Sequence, residues 1–407
     1  MHREYFSTKA LWDGQSDGMQ KTITYSLRVL WLAILLLSGV WLQGQTRYIA
    51  TNDDSAFPFL TGVSFFAIGP TGALTFQQDV PTGGFGIGGG YFGANRVVAA
   101  SDGSENCVYA SEAGDGEIVG ISVETLTVGG SATGSSTDTG TSNGIGLLVE
   151  NGYLYASFTD SNTIGTFKIE SGCGLMFIDD TDVKGLNGGV INAMAAQGHI
   201  LVASFTDGSI ESFDLSSGTP VSNGDEQISS AAVRFAFATY PNQVEITKDG
   251  HFAIFGDTST SMVVEVSDLS SGVLSKTVVY ASNRGISSST IRLSPDESVL
   301  YVVNTQGDGV TAYFLNSNTG ALTYGCRSGP IRGQSASWSY LANARLRDQT
   351  GNGGAIYVAE FGSVPGIALI NFTASSNSCT LQEGAGSPYA DTNSSLLSIE
   401  TVSSSSF

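Results

Sequence analysis

Positive charge, histidine and proline are all scarce in this sequence. Of its 407 residues only 17 are Lys or Arg, against 37 Asp and Glu, and the formal net charge is −20. The clustered cations that grip a phosphate backbone or an anionic membrane surface are missing, which excludes nucleic-acid binding and a polybasic membrane mode. Charged residues make up only 13 % of the chain, too few for a coiled coil of Ala, Glu, Lys and Leu, and no stretch after residue 45 carries helical periodicity with caps. Three histidines leave little for His-based acid–base chemistry. There is no Gly-x-Ser-x-Gly elbow, no His-Glu-x-x-His helix and no Gly-x-x-x-x-Gly-Lys phosphate loop. Gly84-Phe-Gly86-Ile-Gly-Gly89 meets a dinucleotide fingerprint only formally, because the segment that follows, Tyr91 to Ala100, reads as a strand. No cofactor and no metal site is expected.

Long apolar runs are limited to one, Val29 to Leu42, preceded by Lys21 and Arg28. At a rise of about 1.5 Å per residue, such a helix falls short of the ~30 Å hydrocarbon core. It reads as the h-region of a secretory signal, with an uncleaved anchor as the alternative. Residues 1–18 are polar and unlike an n-region, so translation is expected to begin at Met19. Residues 19–44 then form the signal peptide and 45–407 one exported domain, secreted or periplasmic. Residues 1–44 hold four basic and three acidic groups, so the acidity belongs to the domain. It carries four cysteines, Cys107, Cys173, Cys326 and Cys379, with no CxxC pair. An exported chain permits disulfides; Cys326 and Cys379, at similar points of neighbouring repeats, are the favoured pair, with four separate buried thiols as the alternative.

Glycine is abundant, at 52 residues, and marks many tight turns. A strand-like word recurs seven times, beginning at Tyr48, Val108, Leu154, Leu201, Ala253, Leu300 and Ile356, at separations of 60, 46, 47, 52, 47 and 56 residues. That period suits a four-stranded propeller blade. Turn pairs such as Asn151-Gly152 and Asp249-Gly250 precede six of the words and predict hairpins. A second apolar run follows each word, as in Ile210-Glu-Ser-Phe-Asp-Leu, whose alternation suits a strand with one packed face. The first word lacks an inner strand before it, while Leu396-Leu-Ser-Ile-Glu400 stands unpaired at the other end. The C-terminal strand is therefore expected to complete the first blade and close an all-β, seven-bladed ring.

The blade pattern of Ser294-Pro-Asp-Glu-Ser-Val-Leu-Tyr-Val-Val-Asn304, with Val310-Thr-Ala-Tyr and Asn318-Thr-Gly-Ala-Leu322, resembles the seven-bladed lactonase-type propellers. These include 6-phosphogluconolactonase-like proteins, carboxymuconate-cyclising enzymes and repeat proteins named for a Tyr-Val-Thr-Asn motif. The resemblance covers nearly all of residues 46–401 and is closest in the sixth repeat. It implies a channel-mouth site at the loops leading into the innermost strands, where enzymatic members carry Pro-Arg-His. Here the fifth blade reads Pro241-Asn242-Gln243-Val244-Glu245, with Asn and Gln in place of Arg and His. The sixth keeps Arg284 in a loop that has neither Pro nor His.

Cations near these loops are the natural anion contacts. Arg234, Arg284, Arg292 and Arg332, with Asn242, Gln243 and Trp338, are candidates for clamping a carboxylate or phosphate, and Glu245 is the candidate base. Inter-blade ion pairs are the structural alternative for the arginines. His199 and His251 fall at hairpin turns and read as polar turn residues. Two functions follow. One is a monomeric binding propeller that holds a small anionic ligand or a protein partner. The alternative is a lactone hydrolase or cyclase acting on a sugar or dicarboxylate lactone.

Overall fold

The computed structural model describes residues 46–53, 59–87, 95–134, 145–226, 241–257, 264–274, 278–282, 288–304, 309–332, 340–350, 353–361, 366–375, 378–390 and 396–404. The two N-terminal segments assigned from sequence, 1–18 and 19–44, lie outside them. Every regular element described is a strand, and no described helix is long and apolar enough to cross a membrane.

The strands fall into seven antiparallel sheets. In the first blade β1 (Arg47–Asp53), β2 (Gly62–Ile68) and β3 (Leu74–Pro81) run outward. The second contains β4 (Val97–Ser101), β5 (Asn106–Glu112), β6 (Glu117–Ser122) and β7 (Thr127–Thr133). The third contains β8 (Ile145–Glu150), β9 (Tyr153–Phe158), β10 (Thr163–Glu170) and β11 (Gly174–Asp182). The fourth contains β12 (Ile191–Gln197), β13 (Ile200–Phe205), β14 (Ile210–Asp214) and β15 (Val221–Glu226). The fifth contains β16 (Pro241–Ile246), β17 (Phe252–Asp257), β18 (Val264–Asp268) and β19 (Val278–Ser282). The sixth contains β20 (Ser288–Leu293), β21 (Val299–Asn304), β22 (Val310–Leu315) and β23 (Leu322–Arg327). The seventh contains β24 (Tyr340–Thr350), β25 (Gly353–Phe361), β26 (Gly366–Ser375) and β27 (Ser378–Glu383), with the short β28 (Tyr389–Ala390) also paired to β26. The last strand, β29 (Leu396–Ser403), pairs antiparallel with β1, from Arg47 opposite Ser403 to Asp53 opposite Leu396. The chain's end thus supplies the inner strand of its first blade, as the phase of the repeat requires.

Each recurring word occupies the second strand of its blade, the position flanked by strands on both sides. Its β-branched and aromatic residues are buried accordingly: β21 is buried throughout, and Tyr109, Tyr155, Tyr301 and Tyr357 are fully buried. The hairpin at Asn151-Gly152 places both residues at positive φ, 51° and 80°, the conformation that matches the twist of the flanking strands.

Apolar packing is organised between blades. Seven separate clusters each join two neighbours, for example Val244, Ile246 and Phe255 of the fifth blade with Val202 and Ile210 of the fourth. Seven interfaces for seven blades mean that every blade packs on both sides, the first and seventh meeting through Ile49, Phe66, Tyr357 and Ile367. Two disulfides add covalent ties across blade boundaries. Cys326 of β23 joins Cys379 of β27, the favoured pair from sequence, and Cys107 of β5 joins Cys173 at the turn before β11.

Candidate functional site

The inner strands surround a cavity of about 390 Å3, within the ~300–1,000 Å3 typical of small-molecule sites. Six of the seven blades contribute: Val98, Leu148, Met194, Glu245, Arg292 and Glu400 come from β4, β8, β12, β16, β20 and β29. The contributing positions lie toward the downstream ends of most of these strands. Lys248, Pro295 and Glu297, from the hairpin turns that follow, complete the wall. The described cavity therefore lies toward the hairpin-turn end of the channel, whereas the sequence reading centred on the loops leading into the inner strands. Those loops fall largely outside the described residues, as do Arg234, Arg284 and Trp338.

A polar constellation sits on adjoining faces of β16 and β20. Side chains alternate along a strand, so Val244 and Ile246 turn into the apolar cluster shared with the fourth blade, while Gln243 and Glu245 face the sixth. Both inner strands carry a register shift near their start, between Pro241 and Gln243 and between Ser288 and Thr290. Such a bulge re-aims the side chains that follow. Across the blade boundary, Nη1 of Arg292 donates to Oε1 of Glu245 in a partly buried ion pair, with side chains 12 % and 20 % exposed. Nη2 of Arg292 donates to Oδ1 of Asn95 at 2.6 Å. A guanidinium can only donate, so the oxygen of the Gln243 amide faces it, accepting from Nη2 at 2.9 Å, while the amide nitrogen donates to Thr290 Oγ1.

These contacts fix the guanidinium from three sides and leave it with Glu245 at the cavity wall. Glu297 borders the same space, where its Oε1 accepts the Lys248 N–H at 2.6 Å. Burial pushes the Glu297 carboxyl up, and the nearby Asp249 and Glu245 carboxylates add to this against the opposing Lys248. The wall thus combines donors with carboxylates, which suits a ligand rich in both carbonyl and hydroxyl oxygens.

The other sequence candidates divide. Gln243 joins Glu245 in the constellation. Asn242 lies beside them in β16, and its side chain is outside the described residues. Arg332 stands apart on an exposed edge. Its Nε lies 3.1 Å from Glu383 Oε2, and its Nη2 donates to the Gly384 carbonyl at 2.8 Å. Asn95 escaped the sequence reading because no motif marks it and its partner is 197 residues away. Arg292 carries a usable signal: it follows Glu245 by 47 residues, as Thr290 follows Gln243, and the fifth and sixth words are separated by the same interval. Among the described residues, one group of three possible metal ligands occurs: Asp102, Cys107 and Cys173. Both sulfurs are in a disulfide, and Asp102 Oδ2 accepts the Cys173 N–H, so this group offers no metal centre.

No family model and no curated protein matches the chain. Solved structures do. A candidate 6-phosphogluconolactonase from Bacteroides fragilis aligns with a TM-score of 0.62 at 15 % identity, covering 88 % of this chain and 98 % of the other. The periplasmic gluconolactonase of Pseudomonas aeruginosa aligns with a TM-score of 0.61 at 12 % identity, over 88 % and 99 %. A functionally unknown protein from Desulfotomaculum acetoxidans gives 0.58 at 14 %, over 88 % and 98 %. At these identities the likeness is one of fold, and it spans almost the whole of each relative. The chain is a seven-bladed β-propeller that resembles the 6-phosphogluconolactonase-like propellers.

Proposed function

We propose that this chain is an exported lactone hydrolase with its reacting groups at the Glu245–Arg292 pair. The observation that carries the reading is the pairing itself: a carboxylate and a guanidinium, held by Asn95 and Gln243, on the wall of an inner-strand cavity. In the reaction, Glu245 takes a proton from water as the water oxygen attacks the lactone carbonyl carbon. The negative charge that develops on the carbonyl oxygen is stabilised by the positive charge of the Arg292 guanidinium, an electrostatic role that acts most strongly away from bulk water. Collapse of the tetrahedral intermediate breaks the ring C–O bond, Glu245 gives its proton to the leaving ring oxygen and returns to the carboxylate, and a hydroxy acid leaves. Two relatives with this fold bear gluconolactonase or 6-phosphogluconolactonase names, which supports a sugar lactone as substrate. Two disulfides across blade boundaries support an oxidising compartment, secreted or periplasmic.

A binding propeller without turnover is the second reading. It is favoured by the engagement of Glu245 Oε1 with Arg292 and by Asn242 and Gln243 in place of Arg and His. Assay of the purified domain against a panel of sugar and dicarboxylate lactones separates the two. Hydrolysis that Glu245→Gln abolishes establishes the enzyme. Thermal stabilisation by these compounds without turnover leaves the binding propeller.

A further inference from the structure

A second cavity of about 350 Å3 lies against the hairpin turns of the fourth and fifth blades. Gln197 and Lys248 line both this groove and the channel cavity, so the two spaces meet at these residues. From the reacting pair to the groove the chain advances only from Glu245 to Lys248. The groove continues past His199 and Asp249 to Ser270 and Ser271 of the next turn.

We propose that this groove is a subsite for the uncharged, polyhydroxylated tail of a larger substrate, an oligosaccharide whose reducing end is the lactone. The inference rests on the lactonase reading for the identity of the reacting end and on the groove itself for the tail. Lining chemistry selects the class. Gly198, Gly250 and Gly272 form three of its turns, with φ of 64°, 71° and 77°, and their missing side chains keep the floor low. Ile200, which is buried, is the single large apolar residue of the lining, so an acyl or aromatic tail would find little to pack against. An anionic tail would meet the Asp249 carboxylate, with Asp268 in electrostatic reach of His251 beside it and Asp214 in reach of His199. Sugar hydroxyls both donate and accept. They match a wall that sets the Gln197 amide and His199 ring beside the Asp249 carboxylate and the oxygens of Ser270 and Ser271. The two serine hydroxyls donate to Asp268 Oδ1 and the Val273 carbonyl and so offer acceptors, while the Lys248 ammonium turns to the Pro295 carbonyl at the junction with the channel.

The test compares glucono-1,5-lactone with maltobionolactone, which carries one further glucose. The expected kcat/KM is at least tenfold higher for the disaccharide lactone. In Ser271→Trp, which fills the groove from a turn of the fifth blade, and in His199→Ala, which removes a lining side chain from the fourth, this ratio is expected to fall toward one while the melting curve stays that of the wild type. Equal efficiencies on both lactones overturn the subsite and leave the lactonase reading standing. If neither lactone is hydrolysed, calorimetry with maltitol decides. Binding that both variants weaken at least tenfold retains the subsite and removes the lactonase, and no maltitol binding overturns both.

Discussion

Carboxylates at the turns hold the backbone of this propeller in place. Asp102 accepts from the amides of Ser104 and Glu105, the Ser104 hydroxyl and the Cys173 amide, at 2.7 to 3.1 Å. Burial alone would raise its carboxyl, but these donors outweigh burial and hold the group well below the usual carboxylate range. Asp207 is lowered in the same way, its burial outweighed by Ser209 and by the amides of Asn187 and Gly189 in the crossover into its own blade. A carboxylate lowered in the folded state contributes stability that is present above its unfolded pKa, about 3.9, and is lost as pH falls through the folded value. The urea midpoint should therefore drop as pH falls from about 5 to about 2, and drop less in Asp102→Asn. An unchanged pH dependence in that variant contradicts the assignment. Glu112 behaves oppositely. It is buried at 1 % exposure, and desolvation pushes its carboxyl up despite donation from Thr61 and Gly84. Gly84 passes so close that a Cβ there would overlap Glu112 Oε2 and stand 2.7 Å from Asp115 Oδ2. Gly84→Ala should cost about 1–3 kcal/mol of unfolding free energy, read as a shift in urea midpoint. A neutral substitution would mean that the crossover is free to move.

Among the elements, β29 closes the ring. It is the inner strand of the first blade, its Ser398 hydroxyl accepts the Arg96 N–H, and Val402 packs in the cluster between the first two blades. Removing residues 394–407 would leave β1 as an unpaired edge beside the channel. The truncated chain is expected to melt at least several degrees lower or to self-associate, as followed by calorimetry and light scattering. An unchanged melting temperature and mass would contradict the closure. This element was legible in the sequence because the repeat has a phase: Tyr48 opens a word with no partner before it and Leu396 supplies a strand with none after it. Turn residues were legible for the same local reason, as Asn151-Gly152 illustrates. The Arg292 contact with Asn95 was not, because it depends on which inner strands face one another across a ring, which no local pattern encodes. The direction in which the cavity lies was also beyond local pattern, since both ends of an inner strand carry polar residues.

At the scale of the whole molecule, a closed ring turns seven marginal sheets into one body. Each sheet buries both faces against neighbours, and the channel at their centre collects side chains from distant parts of the chain. The scarcity of cations then acquires a consequence. In a chain of net charge −20, a guanidinium fixed at the cavity wall by Asn95, Gln243 and Glu245 is a local exception to the field around it, and steady-state hydrolysis tests its use most directly. For the wild-type domain and Glu245→Gln, kcat/KM should be measured on glucono-1,5-lactone and maltobionolactone, with spontaneous opening subtracted. The account predicts enzyme-dependent opening in the wild type and a loss of at least 100-fold in the variant, in keeping with the ~10²–10⁴ that a positioned acid or base supplies. Equal rates in the two proteins, or rates no greater than spontaneous opening, would contradict it.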